Sequence, residues 1–116
     1  MKRNEALDKA LEQLKETGDT WASLDVLRAY KRSEERGTEV LDFEFINTDV
    51  NRIADTLKKA GITKFTVSDA STGLMMILST MAANGAIIEG MTTVNGTWTD
   101  NNDNWVIVPA VKLSLY

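Results

Sequence analysis

The sequence contains no cysteine, no histidine and a single proline. Without cysteine there is no disulfide and no thiolate metal site. Without histidine the usual neutral-pH general base and the commonest nitrogen metal ligand are missing. Chemistry would have to come from Asp, Glu, Lys, Tyr, Ser or Thr, and the composition still allows a hard-cation site built from carboxylates. No apolar run nears the roughly 18–20 residues that cross a bilayer. The opening "MKRNEALDKALEQLK" has basic residues but no apolar stretch behind them, so it does not read as a signal peptide. The expectation is a cytoplasmic protein with no membrane association, no metal, no cofactor and no assigned catalytic residue.

What is present is ordinary for a folded domain. The chain has 116 residues, 43% hydrophobic and 26% charged. That length predicts one domain, residues 1–116, with enough chain for its own core. The net charge of −4 is unevenly spread. Residues 1–36 hold eight basic and eight acidic residues, while residues 37–116 hold five basic and nine acidic. An acidic body binds phosphate backbones poorly and suits a basic protein surface better.

The pattern along the chain divides it into a helical hairpin, residues 1–37, and a mixed α/β core, residues 38–116. Ala6, Leu7, Ala10, Leu11 and Leu14 have helical spacing, and "TGDT" interrupts them. A second helix is predicted from about Trp21 to Arg36, with Trp21, Leu24, Leu27 and Tyr30 as its apolar stripe and Gly37 as its end. "EVLDFEFIN" alternates, which predicts a half-buried strand with Leu41, Phe43 and Phe45 inward and Asp42 and Glu44 outward. A helix capped by Asn47 or Thr48 follows, with Val50, Ile53, Ala54 and Leu57 inward. "ITKFTVS" is the second strand, and Ser71 to Ala83 is a helix. "GAIIEGMTTVN" is the third strand, bent at Glu89-Gly90. The polar turn "GTWTDNNDN" leads to the last strand, "WVIVPAVKLSLY".

The order ααβαβαββ predicts an α/β (α+β) fold with a mixed four-stranded sheet and helices packed on it. Strands one to three should run parallel and the fourth antiparallel. Pro109 cannot donate to a ladder, which places the last strand at an edge or on a bulge. Phe43, Phe45, Ile53, Leu57, Phe65, Val67, Leu74, Leu78 and Ile88 are the expected core.

The segments "TGDTWASLDVLRAYKR", "LDFEFINTDVNRIADTLKKAGITKFTVSDASTGLMMIL" and "NGAIIEGMTTVN" resemble a family of small bacterial, phage and mobile-element proteins, a domain of unknown function. The D-F-x-x-I-N-T-D stretch from Asp42 to Asp49 and the F-T-V-S strand end carry the resemblance most specifically. It spans about residue 17 to residue 110. The resemblance transfers no catalytic residue. It implies a setting in which small proteins act as inhibitors or adaptors for host proteins, including anti-CRISPR inhibitors of host defence.

Two surfaces attract a functional reading. In an open α/β sheet, ligands sit beyond the carboxyl ends of the strands. Thr48 and Asp49 lie there after the first strand, and Ser68, Asp69, Ser71 and Thr72 after the second. These six are the candidate ligand-binding residues of a small-ligand or nucleotide-binding domain. The loop lacks the lysine of a phosphate loop, however, and Asp69 or Ser71 reads better as a helix cap. The second surface suits a basic protein partner. Trp98 and Trp105 flank the polar turn with Asp100 and Asp103, and an exposed Trp is an apt interface anchor. Met75 and Met76 lie off the apolar stripe of their helix, which leaves burial between layers or a second, partner-facing side.

Two further patterns are set aside. Asp100, Asn102 and Asn104 open like a calcium loop, but Trp105 replaces its glycine and Val111 its glutamate. An Asx-rich turn accounts for them. Arg28, Arg32 and Arg36 recur every four residues, but Asp25, Glu34 and Glu35 balance them, so nucleic acid is not the expected partner. The reading is a protein-binding module without enzymatic activity, with ligand binding at the strand ends as the alternative.

Overall fold

The computed structural model describes residue 12 and residues 20–38, 40–46, 48–68 and 73–115. Apart from Glu12, the predicted first helix lies outside the described residues, and so does its pairing with the next. The described elements are α1 (Thr20–Glu35), β1 (Asp42–Phe43), α2 (Val50–Ala60), β2 (Lys64–Val67), α3 (Leu74–Ala83), β3 (Ile87–Thr99) and β4 (Trp105–Ser114).

α1 ends where glycine allows it to. Gly37 takes a left-handed φ of 69°, and the Thr38 N–H reaches back to the Ser33 carbonyl at 2.9 Å. Its inward face is not the predicted stripe. Ala22, Val26 and Ala29 are buried with Asp25, Ser33 and Arg36, while Trp21 and Leu27 are exposed. Small side chains let the helix approach β1 and α2 closely, and the helix has turned by about one residue to present them. α2 is capped by Asp49, not Asn47 or Thr48. Its Oδ1 accepts the Asn51 N–H at 2.8 Å, and left-handed Gly61 closes the helix. Ile53, Ala54, Leu57 and Ala60 form its buried face.

The sheet has four strands in the order β1-β2-β4-β3. β1 pairs parallel with β2, and β4 runs antiparallel to both β2 and β3. Strands one to three therefore point the same way and the fourth opposes them, as the element order predicted. The position of β4 is different from that predicted. It lies inside the sheet, between β2 and β3, and Pro109 is accommodated because β2 ends opposite Val111. At Pro109 the strand has a neighbour only on its β3 side, where it faces Thr93. The Glu89-Gly90 irregularity is present as a register shift between Ile88 and Gly90, with Gly90 at φ 134°, a backbone state that only glycine adopts easily.

The core lies between β1, β2, β4 and the helices. Phe43 and Phe65 meet edge to face with centroids 5.8 Å apart, joined by Ile53, Leu57, Ile77, Met81 and Leu113. Leu74 and Leu78 pack against this cluster from partly buried positions. Phe45 and Ile88 were expected inside and are exposed. Phe45 follows the end of the two-residue β1 and lies beneath the Arg32 guanidinium, 5.6 Å from the ring centroid. Ile88 sits on β3, the outer strand of the sheet.

Candidate functional site

The described strand-end residues, Thr48, Asp49 and Ser68, fall into two separate environments. Ser68 turns inward and donates to Asp42 Oδ2 at 2.6 Å. Thr66 donates to the other oxygen, Oδ1, also at 2.6 Å. The Asp42 amide donates to Ser33 Oγ at 3.0 Å. Asp42 was expected to face solvent and is buried, because α1 and the β1–β2 pairing close around this short strand. Burial raises its carboxyl pKa, and the Ser68 and Thr66 hydroxyls and the Arg36 charge oppose the rise. Arg36 itself pairs with Glu44. The cluster ties α1 and β2 to β1. Strand alternation could not reveal it, because the signal lies in the spacing of Thr66 and Ser68 opposite a partner set only by register.

Thr48 and Asp49 belong elsewhere. They line a cleft of about 410 Å³ with Trp21, Asp25, Arg28 and Arg52. The Thr48 hydroxyl donates to the Trp21 carbonyl at 3.4 Å, which fixes the loop after β1 to the start of α1. Asp25 is buried, and Arg28 approaches it at 3.9 Å. The cleft offers an exposed indole, two guanidinium groups and a buried carboxylate. Asp69, Ser71 and Thr72 lie outside the described residues. A larger cleft, about 620 Å³, opens on the other side of the sheet, with Lys64, Thr66 and Lys112 among its lining residues and Val40 and Asn95 at its walls. Lys64 donates to Glu89 at 3.2 Å and to Ser114 at 2.8 Å. Hydrogen bonds to Ser114 and Lys64 hold the Glu89 carboxyl below its ordinary pKa.

The partner-facing candidates fall in two places. Trp98, Asp100, Asp103 and Trp105 share the end of the β3–β4 hairpin, whereas Met75 and Met76 start α3. Asp100 organises the turn. Its Oδ1 accepts from Asn102 at 2.8 Å and from Asn104 at 3.1 Å, the Asx-turn that the composition predicted. Asp103 takes a left-handed φ of 62°. The two indoles do not face each other across the strands. Trp105 is half-buried opposite Thr99, and Trp98 stands in the irregular stretch with 74% of its surface exposed. Met75 and Met76 are exposed as well.

Beyond Val111, β3 and β4 continue without a third strand and form a two-stranded ribbon. Met91 (68% exposed), Ile107 (64%) and Val106 (42%) join Trp98 on it. Sequence reasoning missed Met91, Val106 and Ile107, because an apolar run such as Trp105 to Val108 reads as strand core. Nothing in that pattern says that no layer covers them. Asn95 anchors the ribbon by donating to the Arg36 carbonyl at the end of α1. Among the described residues, no group of three or more His, Cys, Asp or Glu side chains could hold a metal ion, and no helix is long and apolar enough to cross a membrane.

These features define a class: a small mixed α+β domain whose helices cover part of one sheet and whose last hairpin projects from it. Within that class, the chain belongs to the family described as a domain of unknown function (DUF7698), matched over residues 25–115. No curated protein and no solved structure matches the chain.

Proposed function

We propose that this chain is a protein-binding module whose β3–β4 ribbon engages a partner presenting an apolar groove rimmed by Lys and Arg. One observation carries the reading. The ribbon exposes Met91, Trp98, Val106 and Ile107, and its only charges between Met91 and Pro109 are acidic, Asp100 and Asp103. Large apolar side chains left uncovered on a projecting ribbon support a partner-facing role. Together with the likeness to phage and mobile-element proteins, this supports an inhibitor or adaptor acting on a host protein, of the kind that disables host defence.

The test is affinity capture from a bacterial lysate, followed by a binding isotherm with the purified prey. Replacing Trp98 by Ala and Ile107 by Ser should weaken binding by about 30-fold or more, as loss of a hot spot of about 2 kcal/mol does. Raised salt should weaken it further. A prey held equally by the double variant sinks the ribbon as the binding surface and moves attention to Met75 and Met76.

The cleft beside Thr48 supports a second reading, a small anionic ligand with a ring to stack on Trp21. Its supporting observation is the pair Arg28 and Arg52 lining the same cleft as that indole. A nucleotide that raises the melting temperature of the wild-type chain, but not of an Arg28→Ala variant, would favour it.

A further inference from the structure

We infer that β3 is a self-pairing edge, on which a second copy of this chain docks antiparallel about a two-fold axis at Thr93. The inference is independent of the ribbon's heterologous partner. β3 ends the sheet order, and among the described residues no strand lies on its outer side. The direction of its free polar groups follows from the ladder. The Leu115 N–H bonds the Thr63 carbonyl at 2.8 Å, so odd-numbered residues at this end of β4 turn their polar groups toward the β2 side. Pro109 belongs to that set and has no N–H to lose. Its pair with Thr93 is therefore of the non-hydrogen-bonded kind, and Thr93 turns its own N–H and C=O outward. Met91 and Asn95, two residues to either side, do the same.

Edges of this kind are normally blunted by lysine, proline or bulges. The run Met91–Asn95 has no charge and no proline, and its pairing with β4 is regular. Register shifts bracket it, between Ile88 and Gly90 on one side and between Asn95 and Thr99 on the other. Its midpoint is Thr93. A copy docked about that residue sets Thr93 against Thr93, and Met91 against Asn95 of the second copy. Each outward-facing pair exchanges two backbone hydrogen bonds, and the hydroxyls of a cross-strand Thr pair add to them. The paired run Met91–Asn95 itself holds no charged residue, although each chain carries −4. A strand that is complementary to itself in this way closes a two-fold dimer, and it leaves Trp98 and Asp100 beyond the paired run.

The absence of cysteine gives a clean test, because Thr93→Cys supplies the only thiol. Outward-facing pairs place Cα atoms about 5.5 Å apart, inside the roughly 4.4–6.8 Å that a disulfide spans. Under mild oxidation, Thr93→Cys should form a linked dimer at least about tenfold faster than Ser79→Cys, which is exposed on α3, because pairing raises the local thiol concentration. Sedimentation of the wild type should show a concentration-dependent dimer, and Thr93→Pro, which deletes only an outward N–H, should shift it to monomer. The inference is overturned by a wild type that stays monomeric at every concentration, by equal cross-linking at Thr93 and Ser79, or by a folded Thr93→Pro dimer. Circular dichroism establishes that the proline variant is folded. If it is not, the two cysteine variants decide the matter alone.

Discussion

Two rows across the sheet show where the protein changes character. In the first row, Phe65 pairs with Leu113 and Leu113 with Ile88. In the second, Val67 pairs with Val111 and Val111 with Met91. Each row is apolar throughout and lies on one face. Phe65, Leu113, Val67 and Val111 are buried, yet Ile88 and Met91 at the β3 end are exposed. The β2 and β4 members of each row join the helices in the core cluster, and the β3 members do not. The same residue types that build the core on one side of β4 build an open surface on the other. Burial here is decided by what lies above a strand, not by the strand's own pattern.

This contrast is sharpest in mutational energies. Phe65→Ala removes half of an edge-to-face pair in the core and should cost about 3–5 kcal/mol. Ile88→Ala, two strands away in the same row, should cost less than about 1 kcal/mol. Urea unfolding of both variants checks this. Comparable losses would mean that Ile88 is packed as tightly as the core.

At Gly96 the ribbon is tightly packed. A Cβ at Gly96 would lie 2.9 Å from both the Val106 carbonyl and the Val108 Cγ1. Gly96→Ala should therefore destabilise by about 1–3 kcal/mol through forced backbone movement. A neutral effect would show that the ribbon can flex away, unlike the core.

Asp42 tests the covered side in a different way. Asp42→Ala strands the Thr66 and Ser68 hydroxyls and should cost about 1–3 kcal/mol. Asp42→Asn keeps partners for both and should cost less. The sign of the pH effect follows from the raised pKa. The folded state holds the Asp42 proton more tightly than the unfolded state, whose value is near 3.8. Its contribution is therefore fully present below that pH and is lost as pH rises through the folded value. Relative to Asp42→Asn, the wild type should lose stability as pH rises through that window. Denaturation midpoints that change in parallel for the two proteins would show that the carboxyl titrates as it does unfolded.

Smaller effects complete the series. Asp49→Ala removes the cap of α2 and should cost about 1 kcal/mol. Trp98→Ala, on the uncovered ribbon, should change stability by no more than about 0.5 kcal/mol in either direction. A large loss there would make the indole part of the packing and remove it as a free contact residue.

Much of the architecture was legible beforehand. Periodicity and glycine placement located α1 through Gly37 and α2 through Gly61, and the element order set the strand directions. Elements whose buried face contrasts with a polar face announce themselves, as Ile53, Ala54 and Leu57 do beside Lys58 and Lys59. The face of α1 was misread because large side chains drew the prediction, while close helix packing favours Ala22, Val26 and Ala29. The surroundings of the strand-end candidates were hidden for a related reason. Thr48, Asp49 and Ser68 share a strand end, but Ser68 is consumed by Asp42, a partner invisible until β1 and β2 are set in register.

The sequence alone determined the local events: where helices stop, that an Asx-rich turn would follow Thr99, that Glu89-Gly90 would disturb a strand. These depend on neighbours along the chain and on backbone states that few residues adopt. Only the tertiary structure decided that β4 enters the sheet between β2 and β3, that Asp42 is buried, and that Ile88, Met91 and Ile107 remain exposed. Those outcomes depend on which element lies across from which. An apolar residue has the same preference for leaving water wherever it stands, and only the finished packing determines whether anything is there to cover it.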